Sequence, residues 1–379
     1  MKKLTALSLI AAVAVLIIGP ALATANGTVT TGLTRGTGGG SSPIVKAKWE
    51  MNAPYASLLG TDDSLDQGAQ FLPPGEWGAN LNYSVCAVAT DPNGVADLAG
   101  VYADIYYPNG VAFHPMDPNH PDQINGGAGE NPDYGVNACG AFIEENTLIK
   151  LTKTEGIQLF CDTIRNNNNN LPSFSSGYDY EEICGATGEL AKEEAYVYCD
   201  NKTLTWEDPA GDYRVDVFAQ DKAGNSSAIL RNSFEYLPLT AFETDFSAID
   251  YGEVLLNTHK IVSGDLTWDG ANNSTSRASV RNIGNTRLYM WSEQDDMGLG
   301  QTSGQWNIEY DARVGSEEAD WRIYSPNAIQ QLEDILDLSE LEEMDFSVLV
   351  TKWPDTNEAY GGDLYLSATR AEFRQCSGT

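Results

Sequence analysis

Apolar and polar residues alternate with period two along several short runs of the chain. Val85, Ala87 and Ala89 alternate with Cys86, Val88 and Thr90, and Val101, Ala103, Ile105 and Tyr107 alternate with Tyr102, Asp104 and Tyr106. Later, Tyr213, Val215, Val217 and Ala219 alternate with Arg214, Asp216, Phe218 and Gln220, and SSAILRNSFEYL follows the turn AQDKAGN. This pattern predicts β-strands that each offer one face to a core. Short runs of the same kind recur from residue 239 onward (DFSAIDYGEVLL, HKIVSGDLTW, ASVRNIGNTRLYMWS, QWNIEYDARV, DWRIYS, MDFSVLVTKW, GDLYLSATRAEF), separated by Gly, Asn, Asp and Pro turns. One helical patch is expected among them, at Ala328 to Leu336.

Gly211-Asp212-Tyr213, at the entry to a strand, resembles the tyrosine corner of immunoglobulin-like sandwiches, whose phenol bonds back to an upstream backbone group. On that reading 79–91, 99–107, 212–220 and 226–236 are strands B, C, F and G of a Greek-key sandwich within residues 45–238. A sandwich of that kind needs about 100 residues. The surplus falls at 108–206: a Pro- and Asn-rich loop, a run whose Leu148, Leu151, Ile157, Phe160 and Ile164 share a helix face, a Ser/Tyr loop and YEEICGATGELAKEEAYVYC. The expected fold class is therefore all-β. Two Ig-like β-sandwich domains are expected, 45–238 and 239–379, the first with a long, partly helical, disulfide-rich insertion.

The N-terminus changes the picture from fold to compartment. Lys2 and Lys3 precede an apolar run from Leu4 to Ile18 and then Ala21-Leu22-Ala23, which reads as a secretory signal peptide over residues 1–23. Residues 24–44, rich in Thr, Gly and Ser, read as a flexible tether. No second apolar run of that length follows, so no membrane anchor is expected in the mature chain. Losing Lys2 and Lys3 takes the formal charge from −32 to −34, which repels nucleic acid and anionic lipid. Cys86, Cys139, Cys161, Cys184, Cys199 and Cys376 allow up to three disulfides in an oxidising compartment, with about fifteen pairings open. None forms a CxxC pair, which argues against structural zinc.

Candidate chemistry is sparse. The turn Asp91-Pro92-Asn93-Gly94 and the turn Asp221 to Asn225 would lie at one end of the sandwich, where Asp91, Asn93, Asp97 and Asp221 could offer oxygen ligands to Ca²⁺ or another divalent cation. The same residues also suit plain turns. Asn26, Asn82, Asn201, Asn225, Asn272 and Asn273 head N-glycosylation sequons. No HExxH, GxSxG, P-loop or GxGxxG occurs, and His114, His120 and His259 are dispersed, so no enzyme is expected. Trp49, Trp77 and Tyr178 to Tyr180 could stack on sugars, although strand aromatics are core residues first.

PIVKAKWE, the turn DPNG before YADIYYPNG, GDYRVDVFAQDKAGNSS, and then IDYGEV, SGDLTWD and VRNIGNTRLYM together resemble secreted Ig-like surface proteins of methanogenic archaea. Within that group the chain is similar to a surface-layer protein. The resemblance implies a structural subunit of the cell-surface coat, partnered by copies of itself in a homo-oligomeric, hexameric lattice and by other envelope components. Many such coat proteins resemble one another in a C-terminal membrane helix. This chain departs from them by ending in RAEFRQCSGT, which leaves the N-terminal tether as the expected spacer. At this charge, close packing would need divalent cations, so the coat should weaken under chelators. The alternative is a secreted adhesin or carbohydrate-binding surface protein.

Overall fold

The computed structural model describes residues 40–53, 68–108, 142–167, 171–270, 277–354 and 359–372. The signal peptide, nearly all of the tether, His114, His120, Cys139, Cys376, Asn26, Asn272 and Asn273 lie outside these residues. Ser41–Thr379 forms one compact unit with two hydrophobic cores, the first drawn from Val45 to Tyr236 and the second from Tyr251 to Val350.

The first core is an Ig-like sandwich. Its strands, in chain order, are β1 (Ile44–Asn52), β2 (Gln70–Phe71), β3 (Asn80–Thr90), β4 (Leu98–Tyr106), β5 (Phe142–Thr147), β6 (Ile149–Lys150), β7 (Ser173–Phe174), β8 (Ala195–Thr205), β9 (Gly211–Asp221) and β10 (Leu230–Tyr236). One sheet runs β6-β8-β3-β1-β7 and the other β2-β10-β9-β4-β5. The four strands expected from alternation are β3, β4, β9 and β10. The tyrosine corner is present: the buried Tyr213 hydroxyl donates to the Pro209 carbonyl at 2.9 Å.

Of the expected insertion at 108–206, residues 109–141 and 168–170 lie outside the described residues. Within it β5, β6 and β8 are sheet strands, and β8 pairs along its full length with β3, from Ala195↔Thr90 to Thr205↔Asn80. Among its described residues, the part that leaves the sheets lies between β6 and β8, apart from β7, which pairs with β1. It contains a helical stretch, Lys153–Gly156 continuing as a π-helix over Ile157–Ile164, opened by a Thr152/Glu155 capping box. Leu148 and Leu151 lie before that helix in extended chain, not on it, although both are buried with Phe160 and Ile164. Cys161 bonds Cys184, with Cα atoms 5.4 Å apart, fastening the helix to the short Tyr180–Cys184 helix.

This excursion covers the outer face of the β1–β3–β8 sheet. Trp49 packs on Phe160 with ring centroids 5.0 Å apart, and Gly156 lies against the Val197 side chain. Beneath it Cys86 and Cys199, a directly opposed pair on β3 and β8, form a disulfide with Cα atoms 4.1 Å apart. The expectation of one core face per strand therefore fails for β1 and β3, which are buried on both faces over most of their length. The inner face of β1 holds Lys48 and Glu50, fully buried and paired at 2.7 Å.

The second core comprises β11 (Phe242–Thr244), β12 (His259–Val262), β13 (Ala278–Asn282), β14 (Arg287–Gln294), β15 (Gln301–Thr302), β16 (Gln305–Trp306), β17 (Ile308–Val314), β18 (Arg322–Tyr324), β19 (Gln330–Leu336), β20 (Leu341–Val350) and β21 (Leu364–Ala371). A sheet β11-β13-β20-β17-β18, with β12 also on β20, faces the sheet β19-β14-β21. The expected helix at Ala328 to Leu336 is instead β19: Leu332 and Leu336 are buried and Leu336 opposes Leu288 on β14. Their four-residue spacing fits a strand face as well as a helix face, and β14 decides between them. The run DFSAIDYGEVLL forms no strand.

Asn285, fully buried, joins the two sandwiches. Its amide accepts from Leu239 N at 2.7 Å and donates to Leu237 O at 2.9 Å, while its own carbonyl accepts from Ala210 N at 3.0 Å. Gly284 is required here, because a Cβ would lie 2.2 Å from the Leu239 carbonyl oxygen.

One prediction arises from the second core. Glu342 on β20 is 1 % exposed, and burial, then the neighbouring Asp334, pushes its carboxyl up to about 8. Between the unfolded and folded values the native state binds more protons, so this group's contribution to stability falls as pH rises. Glu342→Gln should raise the Tm at pH 8 by a few degrees and have little effect at pH 4. Parallel shifts of wild type and variant at all pH values would refute it.

Candidate cation site at the rim of the first sandwich

Asp91 ends β3 and opens a tight corner. Gly94 N donates to the Asp91 carbonyl at 2.7 Å, and Asn93 N donates to Asp91 Oδ1 at 2.6 Å, an Asx turn on a β-turn. Gly94 has φ 99°, outside the range comfortable for a side chain. A single 3-10 turn, Val95–Asp97, then delivers Asp97 to the start of β4. The second corner repeats the device at the end of β9. Asn225 donates to Asp221 through its backbone N and its Nδ2, both at 2.7 Å, and these bonds hold the Asp221 carboxyl below its ordinary range.

Register brings the corners together. Leu98 on β4 opposes Asp221 on β9, and Lys222 N donates to the Asp97 carbonyl at 2.8 Å. Oxygens from Asp91, Asp97 and Asp221 consequently lie within 4.8 Å of one another, and this is the one such acidic group of three among the described residues. Asp91 and Asp221 are buried, at 3 % and 1 % exposure, and Asp91 Oδ2 is buried with no hydrogen-bond donor. Asn93 does not join the carboxylates through its amide nitrogen, which reaches the Ser41 carbonyl at 3.4 Å. That contact ties the corner to the last residues of the expected tether.

The other expected site residues disperse. His259 pairs with Asp311 at 3.1 Å and lies 3.2 Å from the Ser347 hydroxyl. Trp49 is core; Trp77 packs on Trp206 and beneath the Arg281 guanidinium; Tyr178 faces Lys46; Tyr180 packs on Phe160 and Phe174. Asn82 and Asn201 are exposed on the outer face of β3 and β8, each carbonyl accepting from a hydroxyl of the other's sequon: Thr203 to Asn82 at 3.1 Å and Ser84 to Asn201 at 2.7 Å. Asn225 is committed to Asp221.

The alternation pattern missed a groove of about 1170 Å³ in the second sandwich, lined in part by Phe242, Phe246, Tyr251, Met297, Trp353 and Tyr360. Trp353 and Tyr360 stack at its side, 5.4 Å between centroids. The available signal was Trp353, the last residue of the run MDFSVLVTKW, placed beside Pro354 where a turn-rich stretch begins.

No protein-family model and no curated protein matches the chain. Among solved structures it is similar to the C-terminal domain of the Streptococcus pyogenes antigen I/II-family protein AspA, at 10 % identity and TM-score 0.21 over 86 % of this chain and 100 % of that one. It is similar to a chain of the chaperone–tip adhesin complex of CFA/I fimbriae, at 6 % identity and TM-score 0.25 over 88 % and 92 %. The CupB6 tip adhesin from Pseudomonas aeruginosa gives 10 % identity and TM-score 0.21 over 86 % and 95 %. Likeness at this level assigns no function.

Proposed function

We propose that the chain is an exported structural protein of the cell surface, a rigid tile of a self-assembling surface layer outside the membrane. The observation that carries this reading is the construction of the molecule: two sandwiches clasped through Asn285, with the first stapled by Cys86–Cys199 and Cys161–Cys184. Disulfides of this kind form and persist in oxidising compartments. The signal-peptide pattern agrees, and among the described residues no helix is long and apolar enough to cross a membrane. A tile needs a fixed shape and repeated self-contacts rather than a reaction centre.

Electron microscopy of whole envelopes should show a periodic array whose dominant protein band yields this chain by mass spectrometry. A scarce protein on envelopes without a lattice would refute the coat reading. It would favour a secreted adhesin or carbohydrate-binding protein, for which the groove beside Trp353 and Tyr360 is the supporting feature.

A further inference from the structure

We infer that Asp91, Asp97 and Asp221 bind a calcium ion that locks the two corners at the rim of the first sandwich. Two independent observations meet there. Three carboxylates from separate segments bring oxygens within 4.8 Å of one another. Asp91 is 97 % buried, yet its Oδ2 has no donor, an arrangement that is costly for a carboxylate unless a cation supplies the missing partner.

The surrounding bonds are those of a preformed site. Asn93 N fixes Asp91 through Oδ1, and the two bonds from Asn225 fix Asp221, so both carboxylates are oriented before any ion arrives. No Lys or Arg forms an ion pair with Asp91 or Asp221 among the described residues. The Lys222 ammonium is spent on the Ala96 carbonyl, at 2.6 Å.

The donor set selects the ion class. Oxygen-only ligands without His or Cys disfavour the soft and borderline metals. Three carboxylates on turns, with water completing the shell, suit the roughly six to eight flexible oxygen ligands of Ca²⁺ better than the strict octahedron of Mg²⁺. Bound there, the ion would join the end of β3, the start of β4 and the end of β9. Through Asn93 it would also steady the chain at Ser41, in the last residues of the expected tether. This inference does not rest on the surface-layer reading.

The test uses the exported chain stripped with EDTA, in about 0.15 M KCl to screen diffuse binding to its acidic surface. Calorimetric titration with CaCl₂ should give one saturable class of near-unit stoichiometry. The Tm should rise by roughly 5 °C once calcium exceeds its Kd about a hundredfold. Asp91→Asn keeps the oxygen that accepts from Asn93, yet should weaken calcium binding at least tenfold and abolish the thermal shift; Asp221→Asn should do the same. In EDTA Asp91→Asn should melt cooperatively at or above the wild-type Tm, because one of three crowded like charges is gone, whereas Asp221→Asn loses one of the two acceptors of Asn225 and should melt lower while still cooperatively. Glu76→Gln, at an exposed surface position, should leave the calcium response intact. A wild-type Tm indifferent to calcium, or the same titration in Asp91→Asn, would overturn the site. An equal shift with MgCl₂ at the same concentration would overturn its assignment to calcium.

Discussion

Glu50→Ala is expected to cost about 3–5 kcal/mol of stability in the first sandwich, the range for breaking a buried ion pair from one side. Lys48 and Glu50 point from β1 into the space between the sheets, each with a fully buried side chain, and Lys48 Nζ lies 2.7 Å from Glu50 Oε1. The ammonium also donates to Val215 O at 3.1 Å and to Asn232 Oδ1, while Asn232 Nδ2 donates to Glu50 Oε2 at 3.0 Å. Burial lowers the Lys48 pKa, and Glu50 is the main influence opposing that shift. Without Glu50 the lysine must either hold an unpaired charge in the core or give up its proton. Both routes are costly. The double variant Lys48→Met/Glu50→Leu removes both charges at similar volume and should lie near wild type or up to about 4 kcal/mol above it. Urea midpoints of the three proteins decide the matter; a double variant as unstable as Glu50→Ala would show that packing, not charge, sets the cost.

Much of this sandwich is legible in the chain, and the ion pair shows where legibility stops. Gly211-Asp212-Tyr213 announced its corner because the tyrosine and its acceptor lie four residues apart. The two acidic corners could be paired because each borders a clear strand. Lys46, Lys48 and Glu50, by contrast, alternate like the wet side of an edge strand. Their partners include Glu189, Val215 and Asn232, more than 140 residues away in sequence. β8 was hidden for a similar reason: its partner β3 is more than 100 residues distant. In the second core, Leu332 and Leu336 were compatible with either periodicity until β14 supplied the neighbour.

The second large effect is expected at the outer disulfide. Cys86→Ser/Cys199→Ser should lower stability by about 4–5 kcal/mol, because the bond closes a sequence separation of 113 residues and its loss frees the unfolded chain. Both cysteines are at most 1 % exposed, so the serine hydroxyls add a burial cost. Cys161→Ser/Cys184→Ser, with a separation of 23, should cost about 1 kcal/mol less on the same chain-entropy account. Denaturation of the two double variants beside wild type orders the effects. A larger loss from the shorter loop would mean that the outer disulfide's value lies in local packing under the excursion.

The Asn285 clasp has a mechanical consequence. Two cores joined by a short connector ordinarily move relative to one another, and the connector acts as a pivot. Here the connector is gripped at Leu237 and Leu239 by one buried side chain, and Ala210 is held by the same residue's carbonyl. Torque on either sandwich is therefore resisted by hydrogen bonds rather than absorbed by rotation at the joint. A pull entering at Ser41 meets the two sandwiches as a single lever arm.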